Sequence, residues 1–519
     1  MTRDAAAIGA GLAPARPARP IPAGQRLHVI GVAGAGASAA ALLAHHAGAL
    51  VTGCDAGGAS PYTPPLEEAG VRLDWQHSAE HVTREPVPDR VAVTKALTAV
   101  HPDHPELRAA IAADIALEPW QQSVADAAVG RTLVGVAGTH GKSTTAGWLV
   151  HVLVNASLDP AAFVGGLLPS PITGGLPSTA RTGRGAPFVV EADEYAGNFD
   201  PYRPDVAILT SAEWDHPDVF ADSAAVIDSF GDWLGRMPDG GTIVANAGDA
   251  GVEAVLDRVI GDRPLAVVAY ALTEVDPARG GYLRGLADRF GVDGRSAMPL
   301  MGRIMGADPD GTTIEIHGLD APTGPVVARL STAGRHNAAN ALAVAGAAMT
   351  LGVPAAQIAS ALGSFRGVGR RLEHKGEAAG VVVYDDYGHH PTAIRETLAA
   401  IRQREPGRRV WAVYEPLTYH RTAALLPAFA EALATADAVV VADIWAGRDP
   451  DTTVASAAGL AEAVARVRPG ILVDAPGSVD ETAKWLAHQV RPGDAVLVMG
   501  GGNSYRIAEG LLRRLGSEE

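Results

Sequence analysis

The sequence predicts an α/β protein built from three consecutive units of mostly parallel strands. The chain has 519 residues, too many for one hydrophobic core. Short apolar runs recur along it, each ending in glycine or acidic residues, as parallel strands do where they carry sites at their carboxyl ends. Three series begin this way: "LHVIGVAGAGASAAALLAHHAGALVTGCD", "TLVGVAGTHGKSTTAGWLVHVLV", and a third, from near residue 366, containing "GVVVYDDYGHH", "RRVWAVYEP", "DAVVVADIW" and "DAVLVMGGG". Boundaries are therefore expected near 130 and 366, giving units 26–129, 130–365 and 366–519.

Residues 1–25 are rich in Ala, Pro and Arg and lack the apolar segment of a secretion signal. A disordered tail is expected there. No apolar stretch approaches the roughly 20 residues that span a bilayer, so no membrane association is expected and the protein is placed in the cytoplasm. A formal net charge of −16 without any Lys/Arg run argues against nucleic acid as a partner and leaves room for an anionic small substrate in a local basic pocket. The single cysteine, Cys54, forms no intrachain disulfide, and no Cys/His cluster shows the spacing of structural zinc.

In the first unit the turn "GVAGAG" contributes Gly31, Gly34 and Gly36, with Asp55 further on. Its GxxGxG order differs from the dinucleotide fingerprint, but such a turn serves any pyrophosphate. The second unit opens on a strand, a loop and a helix. Backbone amides from Gly138 through Thr139, His140 and Gly141 to Lys142 are placed to wrap phosphate oxygens, and Ser143 or Thr144 to ligate Mg²⁺. Val136 stands where a GxxxxGK[ST] loop has its first glycine. Of 42 basic residues only Lys95, Lys142, Lys375 and Lys484 are lysines, so a lysine inside the glycine loop marks a compact charge for phosphate.

Further on, residues 166–187 read as a mobile Gly/Pro/Ser/Thr loop. The stretch 189–220 brings acidic residues to two strand ends, from which Glu191 and His216 are chosen as metal ligands beside the phosphate loop. Asn337 opens an Ala-rich helix, where an N-cap alone would account for it. In "YDDYGHHP" two aspartates, a tyrosine and two histidines crowd one strand end, a costly grouping unless it binds something polar.

Taken together, "GVAGAG", "GTHGKSTT", "EADE", "DHPD", "GRHNAANALA", "GVGRRLE", "DDYGHHPT" and "HRT" resemble the Mur ligase family, and within it the alanine-adding branch. The family's phosphate loop has its own spacing, in which Val136 is ordinary. The resemblance implies a Rossmann-like N-terminal domain for a UDP-sugar, a central P-loop ATPase domain with a mostly parallel sheet, and a Rossmann-like C-terminal domain that brings the amino acid. It implies ATP and Mg²⁺ as cofactors and UDP-N-acetylmuramate and L-alanine as substrates, joined through an acyl phosphate. By the same resemblance Lys142 stabilises the transferring phosphoryl group, while Ser143, Glu191 and His216 hold Mg²⁺. His336 and Asn337 would lie near adenine, Arg370 by the phosphates, and Asp385 or Asp386 near the ribose. Tyr387, His389 and Arg421 would face the amino acid, with Arg421 on its carboxylate. The Gly31–Gly36 turn would take the UDP pyrophosphate. A monomer or homodimer is expected.

The chain departs from the branch at four places: Leu417 for a histidine, Tyr195-Ala196 after "EADE", Thr94-Lys95 for Ser-Ser, and "GGGNS" near the end. Tyr195 and, separately, "HHPTAI" lean toward the relative that reattaches murein tripeptide, so that acceptor, or another amino acid, stands beside L-alanine as an alternative. A nicotinamide-dependent oxidoreductase leaves the central loop unexplained, and a non-catalytic relative leaves Lys142, Glu191 and His216 unexplained.

Overall fold

The computed structural model describes residues 8–260, 263–273, 298–319, 324–447, 449 and 451–516. Its strands form three sheets. The first is all parallel: β1 (Arg26–Ile30), β2 (Leu50–Cys54), β3 (Arg72–Asp74), β4 (Arg90–Val93) and β5 (Ala116–Pro119), in the order β3-β2-β1-β4-β5. The glycine turn after β1 leads into the helix Ala35–His46. A Cβ on Gly36 would stand 2.2 Å from Cζ2 of Trp120, so close packing of an indole on the helix itself demands glycine there.

The tail expected to be disordered is, from residue 8, a strap along this domain. Ile8 is buried, and the Arg16 guanidinium reaches Glu118 at 2.8 Å and Asp126 at 2.7 Å. The buried Arg90 bridges the same two carboxylates at 2.8 and 2.6 Å. Arg90 alone leaves one negative charge uncompensated in the interior, and Arg16 supplies the second cation. Low hydrophobicity hid this anchor.

The central sheet has ten strands: β6 (Thr132–Ala137), β7 (Ala161–Leu168), β8 (Ser178–Thr182), β9 (Pro187–Glu191), β10 (Val206–Leu209), β11 (Thr242–Asn246), β12 (Ala266–Leu272), β13 (Met298–Asp308), β14 (Gly311–His317) and β15 (Val326–Leu330). They run in the order β15-β14-β13-β12-β11-β10-β6-β9-β7-β8, with β8, β14 and β15 antiparallel to their neighbours. Helices on both faces bury the strands twice over, which explains their continuous apolar runs. Trp148 and Phe365 stack at 4.8 Å on one face, Phe199 and Trp233 at 5.2 Å on the other. Because β6 lies between β9 and β10, the connections diverge at its carboxyl end and open a crevice there.

The stretch 166–187 is not the mobile loop expected. β7 runs to Leu168, a short helix spans Ser170–Thr173, and β8 pairs back on β7. This hairpin docks the first domain: Thr179 Oγ1 donates to the Ala35 carbonyl at 2.8 Å, and Trp120 meets Phe163 edge-on at 5.2 Å.

The third sheet, β16 (Glu373–Ala378), β17 (Val381–Asp386), β18 (Arg409–Glu415), β19 (Ala438–Ala442), β20 (Leu472–Gly477) and β21 (Asp494–Gly500), has the order β16-β17-β21-β18-β19-β20, with only β16 antiparallel. Gln403 ties it to the central domain, donating to the Gly311 carbonyl at 2.9 Å and accepting from the Gly334 amide at 2.9 Å. Among the described residues no helix is long and apolar enough to cross a membrane.

Candidate active site

A cavity of about 1960 Å³ runs from Gly36, Tyr62 and Trp120 past Lys142, Ser143 and Glu191 to Tyr387, His389 and Arg421. All three domains line it, so the glycine turn of the first, the phosphate loop of the second and the acidic strand end of the third face one space. Gly31 has φ +78°, and its amide and that of Val32 donate to the Cys54 carbonyl. Gly34 is the extended residue that caps the helix Ala35–His46, whose first turn lines the cavity.

The phosphate loop is held tightly. A Cβ on Gly138 would approach Thr210 Oγ1 to 2.2 Å, and one on Gly141 would approach Asn340 Oδ1 to 2.7 Å, both at positive φ. The amides of Thr139 and His140, expected to face phosphate, instead donate to Ser211 at 3.1 and 2.9 Å. The start of the helix Lys142–Asn155, capped by Gly141, is left as the kind of helix N-terminus that suits an anion. Lys142 Nζ donates to the Gly138 carbonyl at 2.6 Å and to Glu194 Oε2 at 2.9 Å. Burial pulls its pKa down, but Glu194, Asp193 and Glu191 outweigh burial and leave it raised. Lys142 is a fixed cation.

Ser143, rather than Thr144, faces the strand-end carboxylate. Its hydroxyl donates to Glu191 Oε1 at 2.9 Å, while Glu191 Oε2 accepts the Gly165 amide at 2.6 Å. Two hard oxygen donors side by side at a phosphate loop suit Mg²⁺. His216 lies apart from this pair in chemistry. It has φ +55°, and its Nδ1 meets the Arg421 guanidinium at 2.9 Å. Burial, set against the pull of Asp215, drives its pKa well below the ordinary histidine value, so the ring is neutral.

The third domain separates two adjacent arginines. Arg370, expected by the phosphates, is turned into its own domain: it donates to Asp385 Oδ2 at 3.1 Å and to the Gly500 carbonyl and Ser504 Oγ at 3.0 and 2.9 Å. Arg371 reaches the phosphate loop, donating to Ser143 Oγ at 2.8 Å and lying over the Tyr387 ring. Asp385 is buried beneath Arg370, and burial raises its pKa to about 6 against the pull of that guanidinium. Asp386 accepts the Leu372 and Gly388 amides at 2.7 and 2.6 Å. Both aspartates thus hold the loop together. Asn337 lines the cavity and bonds the Ala333 carbonyl at 2.8 Å, whereas His336 turns toward Glu396 at 3.6 Å.

At the third-domain end of the cavity Arg421, buried, bridges to Asp215 at 2.8 Å as well as to His216. His389 Nδ1 donates to the Tyr387 carbonyl at 2.9 Å, which leaves Nε2 as the acceptor. Burial and then Arg421 push its pKa down to about 3. Sequence reasoning missed a second clasp in which Glu213 faces His140 at 3.4 Å and accepts from Thr392 Oγ1 at 2.7 Å, with the His140 and His390 rings 4.5 Å apart. The paired histidines of "DDYGHHPT" carried that signal. Two departures from the family pattern meet in space, since Lys95 Nζ donates to the Ala196 carbonyl at 2.6 Å.

Glu415, at the end of β18, is also absent from the sequence reading. It is 2 % exposed, and its Oε2 has no hydrogen-bond partner among the described residues. Burial raises its pKa from the ordinary 4.5 to about 7. A raised folded-state pKa means that the folded protein holds this proton more tightly, a stabilisation complete below about pH 4.5 and lost as pH rises through about 7. Glu415→Gln is expected to gain in Tm relative to the parent between pH 5 and pH 8; a difference constant across that range would remove the assignment.

A glycine loop and helix start of the kind that holds nucleotide phosphates, facing a strand-end carboxylate in a crevice lined by a third domain, define a three-domain nucleotide-dependent enzyme. Models of the "Mur ligase family, catalytic domain", the "Mur ligase middle domain" and the "Mur ligase, glutamate ligase domain" match residues 26–132, 136–348 and 370–502. The chain belongs to the Mur ligase family. The UDP-N-acetylmuramate–L-alanine ligase of Gloeobacter violaceus is 34% identical over 499 residues, covering 95% of this chain and 97% of that one. Its counterpart from Kineococcus radiotolerans is 36% identical, covering 94% and 96%. Among solved structures, the UDP-N-acetylmuramate–alanine ligase of Thermotoga maritima aligns with TM-score 0.73 at 23% identity over 95% of this chain and all of that one. A murein peptide ligase from Psychrobacter arcticus aligns with TM-score 0.67 at 25% identity, over 95% and 99%.

Proposed function

We propose that the protein joins L-alanine to the lactyl carboxylate of UDP-N-acetylmuramate in peptidoglycan precursor synthesis, consuming ATP through an acyl phosphate and releasing ADP and phosphate. The continuity of the cavity carries this reading, because a UDP-sugar on the Gly31–Gly36 turn then extends toward Lys142 and Ser143, with Arg421 beyond. Phosphoryl transfer needs positioning and charge compensation more than a protein nucleophile. Lys142 supplies charge at the transferring group, and Arg371 adds a second cation across Ser143. Ser143 and Glu191 would hold Mg²⁺, which when bound neutralises phosphate charge. His216 fits that role less well, being a nitrogen donor already facing Arg421. The alanine carboxylate is assigned to Arg421 and its amine to the neighbourhood of His389. We place this activity in the cytoplasm, in a monomer or homodimer.

Leu417 and Trp445 favour a second reading of the acceptor. They pair at an isolated bridge and line the cavity, an apolar wall where the branch places a histidine, so the polar contact to a single amino acid is absent there and murein tripeptide is the alternative acceptor. The test is phosphate release from Mg-ATP and UDP-N-acetylmuramate with L-alanine, glycine, L-serine or murein tripeptide, with mass spectrometry of the product. Release with L-alanine and a product one alanyl unit heavier is the expected result. Release with the tripeptide alone would overturn the acceptor, and silence with every acceptor would overturn the ligase assignment.

A further inference from the structure

The first domain holds a buried group of metal-ligating side chains remote from the phosphate loop. His28 on β1, Cys54 at the end of β2, His81 on the short helix Glu80–Thr83 and Glu106 on the helix Pro105–Ala112 converge so that their donor atoms lie within 4.8 Å of one another. His28, Cys54 and Glu106 are at most 2 % exposed. Cys54 Sγ is 3.1 Å from Glu106 Oε2, and His81 Nδ1 is 2.7 Å from Glu106 Oε1. His28 Nε2 points at the same carboxylate from 3.7 Å, too far for a hydrogen bond, and has no other partner among the described residues. A buried imidazole nitrogen aimed at a buried carboxylate without a bond is a costly arrangement. A cation between them resolves it.

The outer contacts fit a metal as well. Histidine ligands usually engage their second nitrogen with a polar group that fixes the tautomer. Here His28 Nδ1 meets Thr52 Oγ1 at 2.8 Å, and His81 Nε2 meets Asp74 Oδ2 at 3.2 Å. Nitrogen, sulfur and a single carboxylate suit Zn²⁺ in tetrahedral geometry, whose ligand edges of about 3.3–3.8 Å follow from its bond lengths. The Mg²⁺ candidates Ser143 and Glu191 are oxygen donors only.

We infer that His28, Cys54, His81 and Glu106 form a structural Zn²⁺ site beneath the glycine turn of the first domain. On binding, the Sγ–Zn bond forms, the thiol proton leaves to solvent, and the ion, thiolate, carboxylate and two neutral imidazoles sum to zero charge. The metal braces the turn, because the Cys54 carbonyl accepts the amides of Gly31 and Val32 at 2.8 and 3.1 Å. The sequence hid the site because each ligand comes from a different strand–loop unit rather than from closely spaced pairs.

The test uses the full chain, stripped with chelator, dialysed and titrated with Co²⁺ and then Zn²⁺. Cys54 is the sole cysteine, so a thiolate-to-cobalt charge-transfer band reports this site alone. The expected result is a band that saturates at one equivalent, disappears when Zn²⁺ is added, and is missing from Cys54→Ala. Asp74→Asn, which keeps all four ligands, is expected to weaken Co²⁺ binding by about 10- to 100-fold. A folded parent protein with no such band overturns the proposal without recourse to any variant. So does stoichiometric zinc that survives in a folded Cys54→Ala.

Discussion

Lys142→Ala is expected to lower turnover by on the order of 10³-fold or more, the scale on which removing a charge aimed at a transferring phosphoryl group is felt. The geometry makes this a test of chemistry only if stability is separated from it. Lys142 and Glu194 form a buried pair at 2.9 Å, and removing one partner of such a pair leaves an uncompensated charge costing roughly 3–5 kcal/mol. Here the cost is tempered, because burial and the neighbouring Asp193 already hold the Glu194 pKa above the ordinary value and favour proton uptake. The double variant Lys142→Ala/Glu194→Gln is therefore expected to recover the Tm lost by the single variant without recovering activity. Product formation by Lys142→Ala at a tenth of the parent rate would sink the assignment of Lys142 to the transferring group.

The phosphate loop was legible because its chemistry is local: strand, glycines, lysine and hydroxyl follow one another in the chain. So were the three sheets, since apolar runs ending in glycine or acid mark parallel strands. What escaped depends on partners distant in sequence. Arg370 and Arg371 are chemically identical neighbours, and what separates them is a positive φ of 59° at Arg370 together with an ion pair to Asp385. The strap at residues 8–25 reads as disordered until Arg16 finds Glu118 and Asp126. The hairpin of β7 and β8 is spelled in turn residues, yet it is ordered by pairing and by its dock against Ala35. Glu415 carries no motif at all, and its interest arises from a burial that only the assembled third domain creates.

Arg421→Ala separates the role that the geometry shows for this side chain from the one proposed for it. The guanidinium joins Asp215 at 2.8 Å and His216 at 2.9 Å, so it latches the third domain onto the second. It also lies at the cavity end assigned to the amino acid. Asp215 is the other half of the latch. Although burial opposes its ionisation, Arg421 holds its pKa well below the ordinary range. If Arg421 clamps the substrate carboxylate, its loss removes a charge-assisted contact of roughly 1.5–3 kcal/mol, or about 10- to 100-fold in the amino-acid KM. Asp215→Asn weakens the latch but keeps the guanidinium in place beside His216, and its amino-acid KM is expected to hold or fall. The expected split is thus a raised KM for the amino acid alone in Arg421→Ala, against a lowered kcat with no such rise in Asp215→Asn. Equal effects of both variants on kcat, with every KM unchanged, would make Arg421 a latch and return the carboxylate to another cation in the cavity, of which Arg371 is the nearest in chemistry.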